Sequence, residues 1–361
     1  MRELEIMLKP ASSLCNLRCS YCFYEAVAGE RAVPSHGVMS PETVGAVLEH
    51  IFGDLEPGDR VGFAFQGGEP TLAGPGFFRD FIRRAEELNR GCEVSYRLQT
   101  NGVLLDEEWC ALLKERDFLV GLSLDCLRPV HDAYRRDGAG EGTFARVMAA
   151  KERLDAWGVD YNVLATLTRE LAARAEAVWA FLRAEGIGFV QFTPCFGETP
   201  QALTPADFAR FYGELIPLWH RAWEEGTYIS VKLIDDLVTL LAEGRVTACG
   251  LTGRCHPQIV VESNGDVYPC DFYATDAWRI GNLCREGLKA LYESPEQARF
   301  RRRARQRPLC GDCRYQAICG GGCPRMQRHV CYGEGDSGCG MQALLDRQLG
   351  TLLSVARQLG T

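Results

Sequence analysis

Along the first two thirds of the chain, short apolar runs rich in β-branched and aromatic residues alternate with longer stretches whose apolar positions recur every three or four residues. The runs at Leu4–Leu8, Val61–Phe65, Val94–Leu98, Leu119–Leu124, Tyr161–Leu167 and Phe189–Phe192 predict strands. Helices are predicted from Ser40-Pro41-Glu42, with a capping Ser and Pro at the first position, and at Phe77–Asn89, Glu107–Glu115, Phe144–Trp157, Ala172–Glu185 and Pro205–Glu225. Six strand–helix units imply an α/β fold with a parallel sheet and helices outside it. Right-handed crossovers curl such a sheet, and six units fall short of a full eight-fold barrel, so the expectation is an open, partial six-unit (βα) barrel. Ligands in such folds sit at the C-terminal strand ends. Gln66, Gln99-Thr100-Asn101, Ser123, Asp125, Thr166 and Gln191 fall at those ends.

Past about residue 245 the texture changes to Gly, Cys, Pro and turn residues. Ile259–Tyr268 reads as a β-hairpin around Asn264-Gly265. The rest has too little apolar material for its own core, which points to a metal-stapled lobe. Met341–Leu359 reads as a closing amphipathic helix. The expected organisation is a barrel over 1–240, a cysteine-rich lobe over 241–340 and a C-terminal helix over 341–361.

Composition narrows the function. No run approaches the roughly 18 apolar residues that span a bilayer, and the charged start, Met1-Arg2-Glu3-Leu4-Glu5-Ile6, is unlike a signal peptide. Both point to the cytoplasm and away from a membrane. A net charge of −8 argues against nucleic acid as partner. The basic stretch Arg299–Arg307 reads as a solvated helix face, with a docking surface for an acidic partner as the alternative. Seventeen cysteines are hard to explain as disulfides in a reducing compartment, so metal ligation or redox chemistry is the better reading.

The cysteines are clumped. Cys15, Cys19 and Cys22 follow the first strand as C-x-x-x-C-x-x-C, with no fourth ligand nearby. Cubane iron–sulfur clusters normally take four thiolates, and three leave one iron open. The alternative is a zinc knuckle completed by a distant Cys or His. After the second predicted strand comes Gln66-Gly67-Gly68-Glu69-Pro70. Its glycines let backbone approach a ligand, and its carboxylate suits an ammonium group; a plain turn is the alternative. Together with Tyr21, Phe23 and Tyr24 around the last cysteine, these segments resemble the signature of the radical S-adenosylmethionine superfamily. That resemblance implies a catalytic [4Fe–4S] cluster on Cys15, Cys19 and Cys22, S-adenosylmethionine on its open iron, and a 5′-deoxyadenosyl radical that removes a hydrogen atom from substrate.

Cys249, Cys255, Cys270, Cys310, Cys313, Cys319, Cys323 and Cys339 suffice for two further cubanes or for two four-Cys zinc sites. The region resembles the SPASM extension of that superfamily. Lys9–Tyr24, Gln66–Leu72, Gln99–Leu105, Gly121–Asp125, His131–Arg135, Gly142–Phe144, Gln191–Cys195, Cys249–Tyr273 and Cys310–Pro324 resemble, in order, the anaerobic sulfatase-maturating enzymes. The resemblance implies one auxiliary cluster on Cys249, Cys255, Cys270 and Cys323 and another on Cys310, Cys313, Cys319 and Cys339. It implies Tyr21, Gly67, Ser123, Arg135 and Phe196 around S-adenosylmethionine, beside Gly68 and Glu69. Asp271 corresponds to the base that takes a proton from the substrate residue, with a backbone-bonded turn Asp as the alternative. Two departures fall near the expected substrate mouth or strand four: Cys126-Leu127 stands where the family has Gly-Pro, and Phe196–Ala202 is a short loop. Cys92, Cys110, Cys126, Cys195, Cys284 and Cys331 read as small buried hydrophobes, and His131 as structural.

The function expected from this resemblance is oxidation of a Cys or Ser residue of an unfolded sulfatase to Cα-formylglycine, by a monomer served by a flavodoxin or ferredoxin. The nearest alternative is a radical enzyme forming thioether or carbon–carbon crosslinks in a ribosomal peptide. With the cluster loop at residue 15, no leader-binding domain of the usual size is expected in front of it. The alternative of another class is a non-enzymatic zinc scaffold.

Overall fold

The computed structural model describes residues 2–256, 258–302, 309–332 and 338–359. All six predicted strands form, as β1 (Glu3–Leu8), β2 (Arg60–Phe65), β3 (Glu93–Thr100), β4 (Leu119–Ser123), β5 (Tyr161–Leu167) and β6 (Phe189–Pro194). A helix from the predicted set follows each one, and the α/β class stands. Four shorter strands complete the described set: β7 (Ser230–Val231), β8 (Ile259–Val261), β9 (Asp266–Tyr268) and β10 (Gly281–Asn282). The chain divides into two compact units, each built from separate stretches: Met1–Ser123, Arg135–Tyr161 and Pro257–Arg303 form the first, and Leu124–Tyr134, Asn162–His256 and Ala304–Thr361 the second.

In the first unit β1 lies between β2 and β8, with parallel pairing to both. β2, β3 and β4 continue the parallel ladder, in the register Leu8↔Phe65 and Phe65↔Leu98. Ile6, Leu8, Val61, Phe63 and Phe65 are fully buried. Phe63 meets Phe81 edge-on at 5.1 Å and Phe65 meets Phe78 at 4.9 Å, so the aromatic face of the helix Gly74–Leu88 covers β2. Each such ring contributes about 2–3 kcal/mol by burial. The helix Pro41–Asp54 starts as its sequence indicates, with the Thr43 N–H donating to the Ser40 hydroxyl at 3.2 Å.

The hairpin around Asn264-Gly265 forms as predicted, with β8 antiparallel to β9. Its apolar strand is not left to a lobe without a core. Ile259, Val260 and Val261 are buried because β8 extends the first unit's sheet at the edge of β1. Val27, Val260, Tyr268 and Ala274 then form a small cluster of their own. Val27 belongs to the helix Phe23–Gly29, whose seven residues are too few to announce themselves by periodicity.

In the second unit β5, β6 and β7 are parallel. The helix Pro205–Glu224 opens with a reciprocal capping box between Thr204 and Asp207. It buries Phe208, Phe211, Tyr212, Leu215 and Trp219, the spacing of one helical face. That face packs on the closing helix Gly340–Leu359, which buries Leu344, Leu345, Leu352 and Val355. The helix Lys232–Glu243 was not apparent in the pattern; the two-residue β7 before it is too short to signal a seventh unit.

Of the basic stretch, Arg301 and Arg302 are exposed on the helix Pro295–Arg302, while Phe300 is buried and Arg299 lies over the Trp278 ring at 4.8 Å. Residues 303–307 of that stretch lie outside the described residues. Among the described residues no helix is long and apolar enough to cross a membrane.

Candidate active site

The loop after β1 carries Cys15, Cys19 and Cys22, and the three side chains line one cavity of ≈ 610 Å³ in the first unit. The Leu17 N–H donates to the Cys15 sulfur at 3.4 Å, and Arg18 donates to the Cys15 and Leu17 carbonyls at 2.8 Å. The Arg18 N–H donates in turn to the Arg136 carbonyl at 2.7 Å, clamping the loop from the side. Burial pushes the Cys15 thiol up to about 11, with the Leu17 N–H acting in the opposite direction. A thiolate in this position needs a positive centre beside it, as iron supplies. Among the described residues no three His, Cys, Asp or Glu side chains converge closely enough for a single metal ion, whereas this cavity has room for a cluster. Three thiols on one cavity fit a cubane with an open iron.

Gly67 and Gly68 serve the loop itself. The Gly68 N–H donates to the Ser12 carbonyl at 2.9 Å and the Glu69 N–H to the Leu14 carbonyl at 2.7 Å. A Cβ on Gly68 would stand 2.1 Å from the Leu14 carbonyl oxygen, and Gly67 has φ +137° with the Ser12 carbonyl oxygen 2.9 Å from where its Cβ would be. The close approach these glycines permit is therefore between two protein backbones. Glu69 is anchored by the protein itself. Its buried carboxylate accepts from the Thr71 N–H and hydroxyl (3.1 and 2.5 Å), the Thr100 hydroxyl (2.7 Å) and the Asn101 N–H (2.7 Å). Four protein donors engage the oxygens expected to meet an ammonium group. Burial raises its pKa, against those hydrogen bonds. Asn101 also donates to Asn16 of the cysteine loop at 2.8 Å, so the polar end of β3 buttresses the cluster loop.

Asp271 is buried in the same unit, immediately after Cys270 and the β8–β9 hairpin. Its two oxygens are fixed separately. Lys9 donates to one at 2.5 Å and Gln66 to the other at 2.8 Å. Lys9 is fully buried at the end of β1, with its ammonium 3.9 Å from the centre of the Tyr24 ring. The Tyr24 hydroxyl donates to Glu262 at 2.8 Å, and Glu262 is ion-paired with the buried Arg31. Burial, before the Glu262 charge, holds the Tyr24 phenol well above its usual range. Lys9, Tyr24, Arg31 and Glu262 form a buried polar network around Asp271 that sequence reasoning missed. The one available signal was a charged residue at the buried end of an apolar strand: Lys9 after Ile6-Met7-Leu8 and Glu262 after Ile259-Val260-Val261.

The remaining expected cofactor contacts are spread over both units. In the first, the Arg135 guanidinium lies 5.5 Å from the Tyr21 ring centre, and Ser123 is buried at the end of β4. In the second, Phe196 is buried and faces Arg325 at 5.8 Å. Part of the polar row at the strand ends is structural. Asp125 accepts from the Thr166 N–H at 2.8 Å, and its own N–H is 3.3 Å from Nδ1 of the buried His131. The Cys126 that follows is buried with φ +60°, a left-handed conformation that suits the Gly found there in the resembled family.

In the second unit the other cysteines form two groups. Cys323 has Cys255 and Cys249 as charged neighbours, and burial, chiefly, pushes its thiol up. A Cβ on Gly250 would stand 3.0 Å from the Cys323 Cβ. Cys310 has Cys319, Cys339 and Cys313 as neighbours. Cys270 belongs to the first unit. Of the unassigned cysteines, Cys110, Cys126 and Cys195 are buried, while Cys92 and Cys284 are half-buried. Cys331 is buried too, but not merely as a hydrophobe: its thiol is hydrogen-bonded to Cys319 and Cys339. That bond holds the Cys339 thiol below its usual range.

The sequence pattern of the Radical SAM superfamily matches residues 10–170, and that of the SPASM iron–sulfur cluster-binding domain matches residues 253–314. The fold and the cysteine sets thus define a radical S-adenosylmethionine enzyme with S-adenosylmethionine and multiple [4Fe–4S] clusters as cofactors. The cysteine-type anaerobic sulfatase-maturating enzyme of Clostridium novyi (strain NT) is 34% identical over 334 residues, which cover 90% of this chain and 89% of that protein. The serine-type enzyme of Klebsiella pneumoniae is 28% identical, covering 88% and 81%. The structure of native anSMEcpe with bound AdoMet and Cp18Cys peptide superposes with a TM-score of 0.90 at 32% identity, over 99% of both chains. This chain belongs to the family of anaerobic sulfatase-maturating enzymes. Streptococcus suis SuiB, at 17% identity and a TM-score of 0.64, shares the fold.

Proposed function

We propose that this enzyme oxidises a cysteine of a sulfatase polypeptide to Cα-formylglycine, with Asp271 as the base. The observation that carries the reading is the buried Asp271, its two oxygens held by Lys9 and Gln66 at 2.5 and 2.8 Å beside the cavity-lining cysteine loop's own strand. Cysteine is favoured over serine because the relatives at 34–36% identity are cysteine-type, while the serine-type relatives stand at 26–28%.

Cys15, Cys19 and Cys22 hold the catalytic cluster in this reading, and Tyr21, Gly67, Gly68, Glu69, Ser123, Arg135 and Phe196 surround S-adenosylmethionine. Cys249, Cys255, Cys270 and Cys323 hold one auxiliary cluster, and Cys310, Cys313, Cys319 and Cys339 the other, making three clusters and a SPASM lobe over 241–340. When bound, these groups supply a hydrogen-abstracting radical and an acceptor for the second electron. The protein's own part is to position and to move a proton. Asp271 accepts the proton of the substrate thiol as the Cβ hydrogen leaves, and water then hydrolyses the resulting thioaldehyde to the aldehyde with loss of hydrogen sulfide. Lys9 and Gln66 stop the carboxylate from rotating, and the closed Tyr24–Glu262–Arg31 network fixes Lys9 in turn. A monomer in the cytoplasm, drawing electrons from a flavodoxin or ferredoxin, completes the picture.

The test is anaerobic turnover of reconstituted enzyme with S-adenosylmethionine, dithionite and two peptides carrying Cys-x-Pro-x-Arg or Ser-x-Pro-x-Arg. An aldehyde on the Cys peptide, by mass spectrometry, is the expected result. An aldehyde on the Ser peptide alone would reverse the residue assignment. 5′-Deoxyadenosine without either product would remove the sulfatase from the proposal.

A further inference from the structure

Phe196 stands two residues past the end of β6, where ligands of such folds sit. It opens a small closed loop of the second unit. The Leu203 N–H donates to the Cys195 carbonyl at 2.8 Å and shuts the neck of the loop. Inside it the Ala202 N–H donates to the Thr199 carbonyl at 3.0 Å. At φ +103° Gly197 turns the chain sharply after Phe196, a conformation that favours glycine. Gly197, Glu198 and Pro200 are exposed, so packing alone does not fix the loop.

His329 grips this loop on both sides of its neck. The Gly197 N–H donates to His329 Nε2 at 3.2 Å, and His329 Nδ1 lies 2.8 Å from the Leu203 carbonyl oxygen. The carbonyl needs a ring N–H, and the Gly197 N–H needs a ring lone pair. One tautomer of the neutral imidazole, with its hydrogen on Nδ1, supplies both. His329 is itself held from outside the loop. The His329 N–H donates to the Met326 carbonyl at 2.9 Å, and the Met326 N–H to the Cys323 carbonyl at 3.0 Å. From the same segment, Arg325 lies 5.8 Å from the Phe196 ring centre. The segment thus meets the loop twice, and both belong to the second unit.

We propose that His329 is a positioning residue: by bridging Gly197 and Leu203 it fixes the loop that presents Phe196 to S-adenosylmethionine, and so sets the affinity for that cofactor. This rests on the contact between Phe196 and the cofactor given above. A loop fixed beforehand spares binding the cost of ordering it. The effect therefore falls on cofactor binding rather than on the chemical step.

The test uses the full chain reconstituted anaerobically. Affinity for S-adenosylmethionine is measured by equilibrium dialysis, iron is counted per chain, and kcat and KM for the cofactor are determined with a Cys-x-Pro-x-Arg peptide. His329→Ala should weaken the affinity and raise KM about 10-fold, with kcat and iron content as in the wild type. His329→Gln, whose amide offers one donor and one acceptor as the neutral ring does, should lie between the two. His329→Phe keeps a ring and loses both bonds; it should match the alanine variant and serves if that one does not fold. Wild-type affinity in the alanine and phenylalanine variants would overturn the proposal. A glutamine variant as weak as the alanine one would overturn it too, by assigning the effect to the bulk of the ring. Unmoved affinity in Phe196→Ala would instead remove Phe196 from the cofactor, which is a failure of the underlying assignment. The affinity measurements stand whether or not the peptide is turned over, so a failure of the sulfatase reading is told apart from both.

Discussion

At the scale of single residues, the Lys9–Asp271 pair makes the sharpest prediction. Both side chains are buried, so removing one partner leaves an uncompensated charge. Lys9→Met should cost about 3 kcal/mol of stability, and the double variant Lys9→Met/Asp271→Asn less than Lys9→Met alone, both read from denaturant midpoints. A double variant no more stable than the single one would mean that the pair is not coupled. Asp271→Asn by itself should lower the rate of aldehyde formation at least about 100-fold while leaving the iron content unchanged. Gly68→Ala addresses the other side of the site. Its Cβ would meet the Leu14 backbone, which cannot step aside. The variant should lose about four irons per chain by chemical assay; full iron would show that the cysteine loop tolerates displacement. The sequence made Asp271 legible because it adjoins Cys270. It did not make Lys9 legible, because the partner that gives Lys9 its role is 262 positions away. Glu69 was legible as a site residue but its protein partners were not, since its four donors come from three separate positions along the chain.

At the scale of elements, the β8–β9 hairpin positions the base. Its Asn264-Gly265 turn holds Gly265 at φ +85°, and a Cβ there would stand 2.4 Å from the Cys284 sulfur. Gly265→Ala should therefore destabilise the protein by about 1–2 kcal/mol and should reduce product formation along with it, because Asp271 lies three residues beyond the end of β9. A variant that loses stability but keeps full turnover at low temperature would separate the turn from the site. The alternation and turn residues of this hairpin were readable in the sequence. Its place at the edge of β1 was not, because three apolar residues look alike whether they cover a lobe of their own or join a sheet. The helices Pro205–Glu224 and Gly340–Leu359 were readable almost to the residue, since each carries an uninterrupted apolar face. The two-residue β7 had no such signal.

At the scale of the whole molecule, the chain's two compact units each take residues from both sides of the predicted barrel–lobe boundary. Cys270 and Asp271 belong with β1, while Cys249, Cys255 and Cys323 belong with the second unit. Sequence texture marks where cysteines crowd. It does not mark where the chain re-enters a sheet begun more than 250 residues earlier. Cluster binding should therefore stabilise the whole fold, since metal-binding free energy counts as folding free energy. Stripping the iron with a chelator under anaerobic conditions should lower the thermal midpoint by at least several degrees, followed by circular dichroism; an unchanged midpoint would mean the clusters add function without holding structure.

The claim on which these predictions depend is removal of a Cβ hydrogen from a substrate cysteine. Anaerobic turnover of a Cys-x-Pro-x-Arg peptide deuterated at the cysteine Cβ tests it directly, with mass spectrometry of both products. The prediction is an aldehyde on the peptide and one deuterium in the 5′-deoxyadenosine formed with it. 5′-Deoxyadenosine free of deuterium, beside an unmodified peptide, would contradict it.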